Sequence, residues 1–444
     1  MAALDHAFRY SGPSKLRDSA DGRALALVSE AAPESSESGR FLSAKALVPD
    51  VTAKGLRAVS DIVGSRFYVP PAMLARILRE ADPVATVGPS AVRFEGFSAC
   101  CSTYIRLDLY DDALEVSERR HGTTNVDFGA ELRGALASVG RETALGLSIG
   151  ARDVTVARDG HEIIEKKVPL PVRWLKGFAE VQVVIAEMEP VFRLPRVAAQ
   201  RYLRALPRGK ADHQLWVSYA GGTARVSTRE TQGAVPLRGV QRLRVLEPLT
   251  ALANDLQVHV NQRTGATSWA LDFGSQRLWL VLNAEPWRGF SGDGGVLSKI
   301  ASEDDTAVAA VRAQLNWQDR IDMTTLAGAT GLTISEISRA LAKLAAIGLL
   351  GFDLHSGCYF HRVLPFDMKR VEGLNPRLKA ARGLVDKGTV YIKGDSALVE
   401  SETAVHTVSP SEEGWRCTCP WFAKNGIERG PCKHVLAVEI LLDQ

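Results

Sequence analysis

The chain has 444 residues, 45% of them hydrophobic and 24% charged, which are ordinary values for folded domains, and a prior of about 150 residues per domain gives about three. Its 54 basic and 51 acidic side chains leave a formal charge of only +3; no overall field draws it to nucleic acid or an anionic membrane, and any such contact has to be local. No apolar run approaches the roughly 18 residues of a membrane span, 1–16 lacks the apolar core of a signal peptide, and six cysteines without a disulfide-like array point to a reducing cytoplasm.

Residues 1–40, with Ser-Gly-Pro at 11–13 and a Pro/Glu/Ser-rich stretch at 31–39, read as a disordered arm. An α+β N-terminal domain is expected over 41–157. Pro70 and Pro71 open a helix over 70–79 with the stripe Met73, Leu74, Ile77 and Leu78. Residues 91–97 and 103–110 alternate as strands, Asp111 and Asp112 make a turn, and 113–117 returns. A helix follows at 130–137, then strands at 144–149 and 154–157, with Asp159-Gly160 as a hairpin turn to 162–165. Cys100 and Cys101 are adjacent, cannot point one way on a strand, and read as fillers.

A β-rich middle domain is expected over 158–300. Arg193, Arg196, Arg201, Arg204, Arg208 and Lys210 follow Glu189 with no carboxylate among them. A helix over 197–206 would place Arg201 and Arg204 on one face, either as a solvated face pairing with acidic loops or as phosphate contacts. Strands are expected at 214–219, 224–227, 241–245, 257–261, 267–273 and 277–282. Gly289, Gly292, Gly294 and Gly295 read as a flexible connector, since the Gly-Lys-Ser/Thr of a phosphate loop is missing. His161-Glu162 lacks the second histidine of a zinc-protease helix.

Over 304–365 the pattern gives a helix at 306–317, a short helix at 324–329 ended by Gly331, and a capping box from Thr333 to Glu336. That box opens a helix with Ile334, Ile337, Leu341 and Leu344 on one side, and a hairpin follows over 350–354 and 358–361. This order resembles a winged helix. The resemblance implies that Ser335, Arg339, Ala342 and Lys343 lie on the outward face of a groove-reading helix, with Arg339 and Lys343 as possible nucleic-acid contacts. Five cations against six anions make the segment slightly acidic, unlike the basic stripe of a DNA reader, and winged helices also serve as docking scaffolds. A basic linker over 366–384 carries Lys369, Arg370, Arg377 and Lys379, which suits either a phosphate track or a soluble tether.

The last segment, 385–444, carries Cys417 and Cys419 two apart, then Cys432 and His434 two apart, followed by the apolar run 435–442. On a strand the first pair would project from one face. Positions two apart on a helix diverge, so Cys432 belongs in the turn before a helix and His434 in its first turn. Three thiolates and an imidazole complete the tetrahedron of one structural Zn²⁺ and leave no position for water. Arg416, Lys424, Arg429 and Lys433 stand near enough in sequence to offset the net −1.

This C-x-C, gap, C-x-H pattern before an apolar helix resembles the SWIM zinc finger, with Cys417, Cys419, Cys432 and His434 in the four ligand positions and 389–393, 397–399 and 405–408 as lead-in strands. The resemblance implies a non-catalytic module that contacts DNA or protein. Bacterial proteins of similar layout are associated with MoxR-type AAA ATPases and von Willebrand A-domain proteins, which implies such partners. The expected fold class is therefore α+β and multidomain: β-rich N-terminal and middle regions, a winged helix-turn-helix domain, and a C-terminal SWIM zinc-binding ββα-type module. Two functions follow: a cytoplasmic, non-catalytic binding protein meeting a protein partner or nucleic acid without a membrane, or an enzyme whose dispersed active site lies in 41–300.

Overall fold

A computed structural model describes residues 39–67, 83–125, 130–150, 154–158, 161–165, 172–209, 213–301, 306–364, 375–401, 404–412 and 414–442, with 17–19, 22–24 and 128. It forms two compact units, one of Met1–Pro171, Pro190–His259 and Thr267–Leu282, the other of Val172–Glu189, Val260–Ala266 and Asn283–Gln444. Among the described residues no helix is long and apolar enough to cross a membrane. The expected helix at 70–79 and the turn at 159–160 lie outside the described residues. So does most of the 1–40 arm, within which Arg17–Ser19 and Gly22–Ala24 pair as antiparallel strands.

The first unit is built on an eight-stranded sheet in the order Glu189–Pro195, Asp255–Val260, Thr267–Asp272, Gln276–Leu282, Thr103–Tyr110, Ala91–Phe97, Val84–Val87, Gly122–Asn125. Gln276–Leu282 pairs with Thr103–Tyr110, so the sheet runs across the border expected near 157. One face is apolar. There the Pro49–Val63 helix comes so close that a Cβ on Gly55 would sit 2.9 Å from Leu107. The other face carries a cross-strand row of alternating sign, Arg93, Asp108, Arg277 and Asp272, in direct register. All of it is buried or nearly so, and the Trp279 indole donates to Asp108 at 2.9 Å. Opposite charges facing one another across strands satisfy each other and fix register.

Two local expectations are overturned in this unit. Leu114–Arg119 does not return beside Thr103–Tyr110; a short 3₁₀ turn at Asp111–Ala113 redirects it to pair with Arg40–Ala46 in a five-stranded sheet. The strand expected at 241–245 is a 3₁₀ helix, Val240–Leu249. Val240, Leu243, Leu246 and Leu249 are all buried, and a spacing of three is the period of that helix, not of a strand.

The second unit contains the Val172–Ala186 helix, whose Trp174, Phe178, Val181 and Val184 are buried. Arg362, fully buried, lies 5.4 Å over the Phe178 ring and donates to the Leu350 carbonyl. The helix beginning at Thr306 stops at Ala313, short of Trp317, which takes a left-handed φ of 56°. Met323–Thr330 is capped by Asp322, which accepts the Thr325 N–H at 2.6 Å, and ends on Gly331 at φ 73°. The capping box is present: Glu336 accepts the Thr333 N–H at 2.8 Å, and the Thr333 hydroxyl accepts the Glu336 N–H at 3.3 Å. It starts the Ile334–Ala346 helix, and the Leu350–Asp353 and Cys358–His361 strands pair behind it.

Candidate metal centre

Val390–Lys393, Ser396–Ser401, Ala404–Ser411 and Gly414–Cys417 form a four-stranded antiparallel sheet. Val390, Ala397, Val399 and Val408 are buried on one face, against Val435, Leu436, Val438 and Ile440 of the Lys433–Leu442 helix. Cys417 closes the last strand opposite Val408. Cys419 lies beyond that strand, as the N-cap of the Pro420–Asn425 helix. The first pair therefore converges from a strand end and a helix start rather than from one strand face. Cys432 precedes the Lys433–Leu442 helix and His434 stands in its first turn, where helix geometry requires them.

The four donor atoms lie within 4.8 Å of one another and all four residues are buried. His434 Nδ1 is 3.7 Å from Cys417 Sγ and 4.0 Å from Cys432 Sγ. A tetrahedron with Zn–S of about 2.3 Å has edges of about 3.8 Å. The cluster fits a structural zinc ion, with Nδ1 as the imidazole donor.

The surroundings also suit thiolates. Cys419 Sγ accepts the Phe422 N–H and Cys432 Sγ accepts the Val435 N–H, both at 3.4 Å. Each sulfur thus sits at a helix N-terminus, where amide donors and the helix dipole favour negative charge. The Cys417 thiol bonds to Cys432 and holds Cys432 well below the usual thiol range, and that same bond pushes Cys417 up. Burial raises Cys419. One charge is readily held; three need a dication.

Arg377 stands beside the centre together with Arg429, although sequence proximity announces only the latter. Arg377 donates to the Arg429 and Pro431 carbonyls at 2.8 and 3.0 Å and to the Asp293 carbonyl at 3.1 Å. Its guanidinium lies 4.9 Å over the Trp421 ring, which Arg429 also approaches at 5.7 Å. Burial, then Arg429, brings Arg377 down to about 10. Arg377 is thus turned inward, in place of the phosphate contact considered for it.

The glycine connector is not a loose tether. Glu180, fully buried on the Val172–Ala186 helix, accepts the Gly295 and Val296 N–H groups at 2.9 and 3.0 Å. A Cβ on Gly294 would collide with the Arg377 guanidinium, and one on Gly430, at φ 72°, with the Gly294 carbonyl. Gly294 thus leaves room for the Arg377 guanidinium, and Gly430 for the backbone of the connector itself. The 376–384 part of the expected linker is likewise ordered, as a Pro376–Asp386 helix with Leu378, Ala381 and Leu384 in the zinc-helix core.

Of the remaining candidate contacts, Arg339, Lys379, Arg201 and Arg204 are exposed and Lys343 is half-buried, while Lys369 and Arg370 lie outside the described residues. Glu180 and Asn375, which caps the Pro376–Asp386 helix by accepting the Arg377 N–H, carry no sequence signal, since their partners are fixed only by the fold.

Residues 389–443 match the family model of the SWIM zinc finger. The SWIM module thus spans the four strands and the zinc helix just described. No curated protein sequence matches the chain. Among solved structures, the PCNA2-PCNA3 complex from Sulfolobus tokodaii is similar at 8% identity, covering 55% of this chain and 98% of that one, with a TM-score of 0.40. Proliferating Cellular Nuclear Antigen from Entamoeba histolytica is similar at 9% identity over 56% and 99%, with a TM-score of 0.36.

Proposed function

We propose that this is a non-catalytic, zinc-dependent interaction protein of the cytoplasm, whose winged-helix-like segment and SWIM module offer docking surfaces to a protein partner. The observation that carries this is the donor set: four buried protein donors converge within 4.8 Å of one another, enough to fill all four positions of a zinc tetrahedron, and an ion so held shapes a surface and performs no reaction. The helical segment supports the protein reading over a groove-reading one. Ile334, which its spacing sets with the buried Ile337, Leu341 and Leu344, stands 47% exposed instead, beside Ser335, Ser338 and Arg339, and Met323 is 39% exposed nearby. Apolar side chains standing out from a slightly acidic segment suit a protein surface better than a phosphate backbone. The partners to test first are those the resemblance brings, a MoxR-type AAA ATPase and a von Willebrand A-domain protein.

The test is co-purification of the intact protein, with and without nuclease, beside Ile334→Glu and Cys432→Ser. A stoichiometric partner that survives nuclease and is lost in either variant is expected. A protein companion retained equally by both variants, or a purified protein with hydrolytic turnover, would overturn the reading.

A further inference from the structure

The Arg196–Ala205 helix of the first unit presents a charged face that the zinc centre does not account for. Its Ala199, Tyr202 and Leu203 are buried, Arg201 and Arg204 are exposed, and Arg208 follows on an exposed turn. Neighbouring acceptors are already used by other arginines. Arg193 pairs with Asp255, and Arg196 Nε donates to the Ala253 carbonyl at 2.6 Å. Arg244 closes the end of the helix by donating to the Leu206 and Pro207 carbonyls, and Glu247 neutralises it at 3.1 Å. Among the described residues, Arg201, Arg204 and Arg208 have neither an ion pair nor a hydrogen bond. The helix dipole accounts for a cation in the last turn, such as Arg204, but not for Arg201 in the body or Arg208 beyond the end.

A second observation comes from the aromatic rings. Tyr202, next to Arg201, stacks on Trp269 at 5.6 Å and 6°; Trp269 meets Phe192 edge-on at 6.4 Å; Phe192 stacks on Tyr219 at 5.2 Å and 20°. This ladder begins on the arginine helix and ends on a ring that is 40% exposed. Tyr219 stands on the hairpin of Leu215–Ala220 and Thr223–Ser227, whose second strand packs against the arginine helix; exposed guanidinium groups and an exposed aromatic ring on packed elements are the groups that receive phosphates and an unstacked base.

We propose that this face binds single-stranded nucleic acid, Arg201, Arg204 and Arg208 taking successive phosphates and Tyr219 stacking a base. A duplex hides its base faces and would leave Tyr219 idle. The assignment is independent of the zinc-dependent docking proposed above.

The experiment is fluorescence anisotropy of the full chain with labelled oligothymidylate across a salt series, with a duplex and polyglutamate as competitors. Binding at low salt is expected, with the oligothymidylate preferred. The double variant Arg201→Gln/Arg204→Gln should lower the salt slope by about 1.4, at roughly 0.7 for each single-strand phosphate contact. Tyr219→Ala should weaken binding about tenfold while Tyr219→Phe holds it, with thermal melting showing that each variant is folded. No binding at low salt, a slope unchanged in the arginine variant, or equal competition by duplex or polyglutamate would overturn the assignment.

Discussion

Three thiols brought together by the fold resist a common charge until a dication joins them, and the rest of the zinc module depends on that resistance. Cys432→Ser removes one vertex, so we expect zinc content to fall from one equivalent to none and new protease cleavages to open within 389–443, while fragments of the eight-stranded sheet persist. Metal analysis with limited proteolysis checks both parts. Glu180 is a second residue whose state matters. Burial, reinforced by Asp293, pushes its carboxyl up to about 7, so the folded chain holds a proton that the unfolded chain releases near the ordinary carboxylate value. Stability contributed by this group is therefore present at low pH and is lost as pH rises through about 7; a shift of this size corresponds to on the order of 3 kcal/mol. Melting temperature followed from pH 5 to pH 8 should fall in the native protein and fall less in Glu180→Gln. The four ligands were legible in the sequence because residue type and spacing alone define a tetrahedral set. Glu180 and Arg377 were not, because the groups they hold lie far along the chain, at Gly295, Asp293 and Pro431.

Short-range chemistry made some elements readable and misled on others. Thr333 and Glu336 announce a helix start by themselves, and Thr333→Ala should cost about 1 kcal/mol, read as a lower denaturation midpoint with the denaturant slope unchanged. Val240 to Leu249 has the composition of a strand but buries every third residue, a period that became visible only with a core to face. The glycine connector was misread for the same kind of reason. Four glycines without a phosphate-loop lysine look like slack, whereas Gly294 and Gly430 are small because backbone and guanidinium cross at that point. Gly430→Ala should destabilise the second unit by about 2 kcal/mol or more, from left-handed strain and the collision with the Gly294 carbonyl. A melting temperature equal to that of the native protein would contradict this close approach.

Across the whole molecule, the division into units does not follow chain order. Thr103–Tyr110 and Gln276–Leu282 are sheet neighbours although far apart in sequence, and such long-range pairing leaves no local mark by which a border could have been placed. What was legible at this scale was chemical: near-neutral charge, local basic stretches, and one complete ligand set in the last segment. The account rests on that set being closed. The most direct test replaces zinc by cobalt in the intact protein and records its visible spectrum while azide is added. Intense tetrahedral bands with thiolate charge transfer, unchanged by azide, are the predicted result. A spectrum that shifts with azide would reveal an exchangeable position on the metal and contradict a purely structural ion.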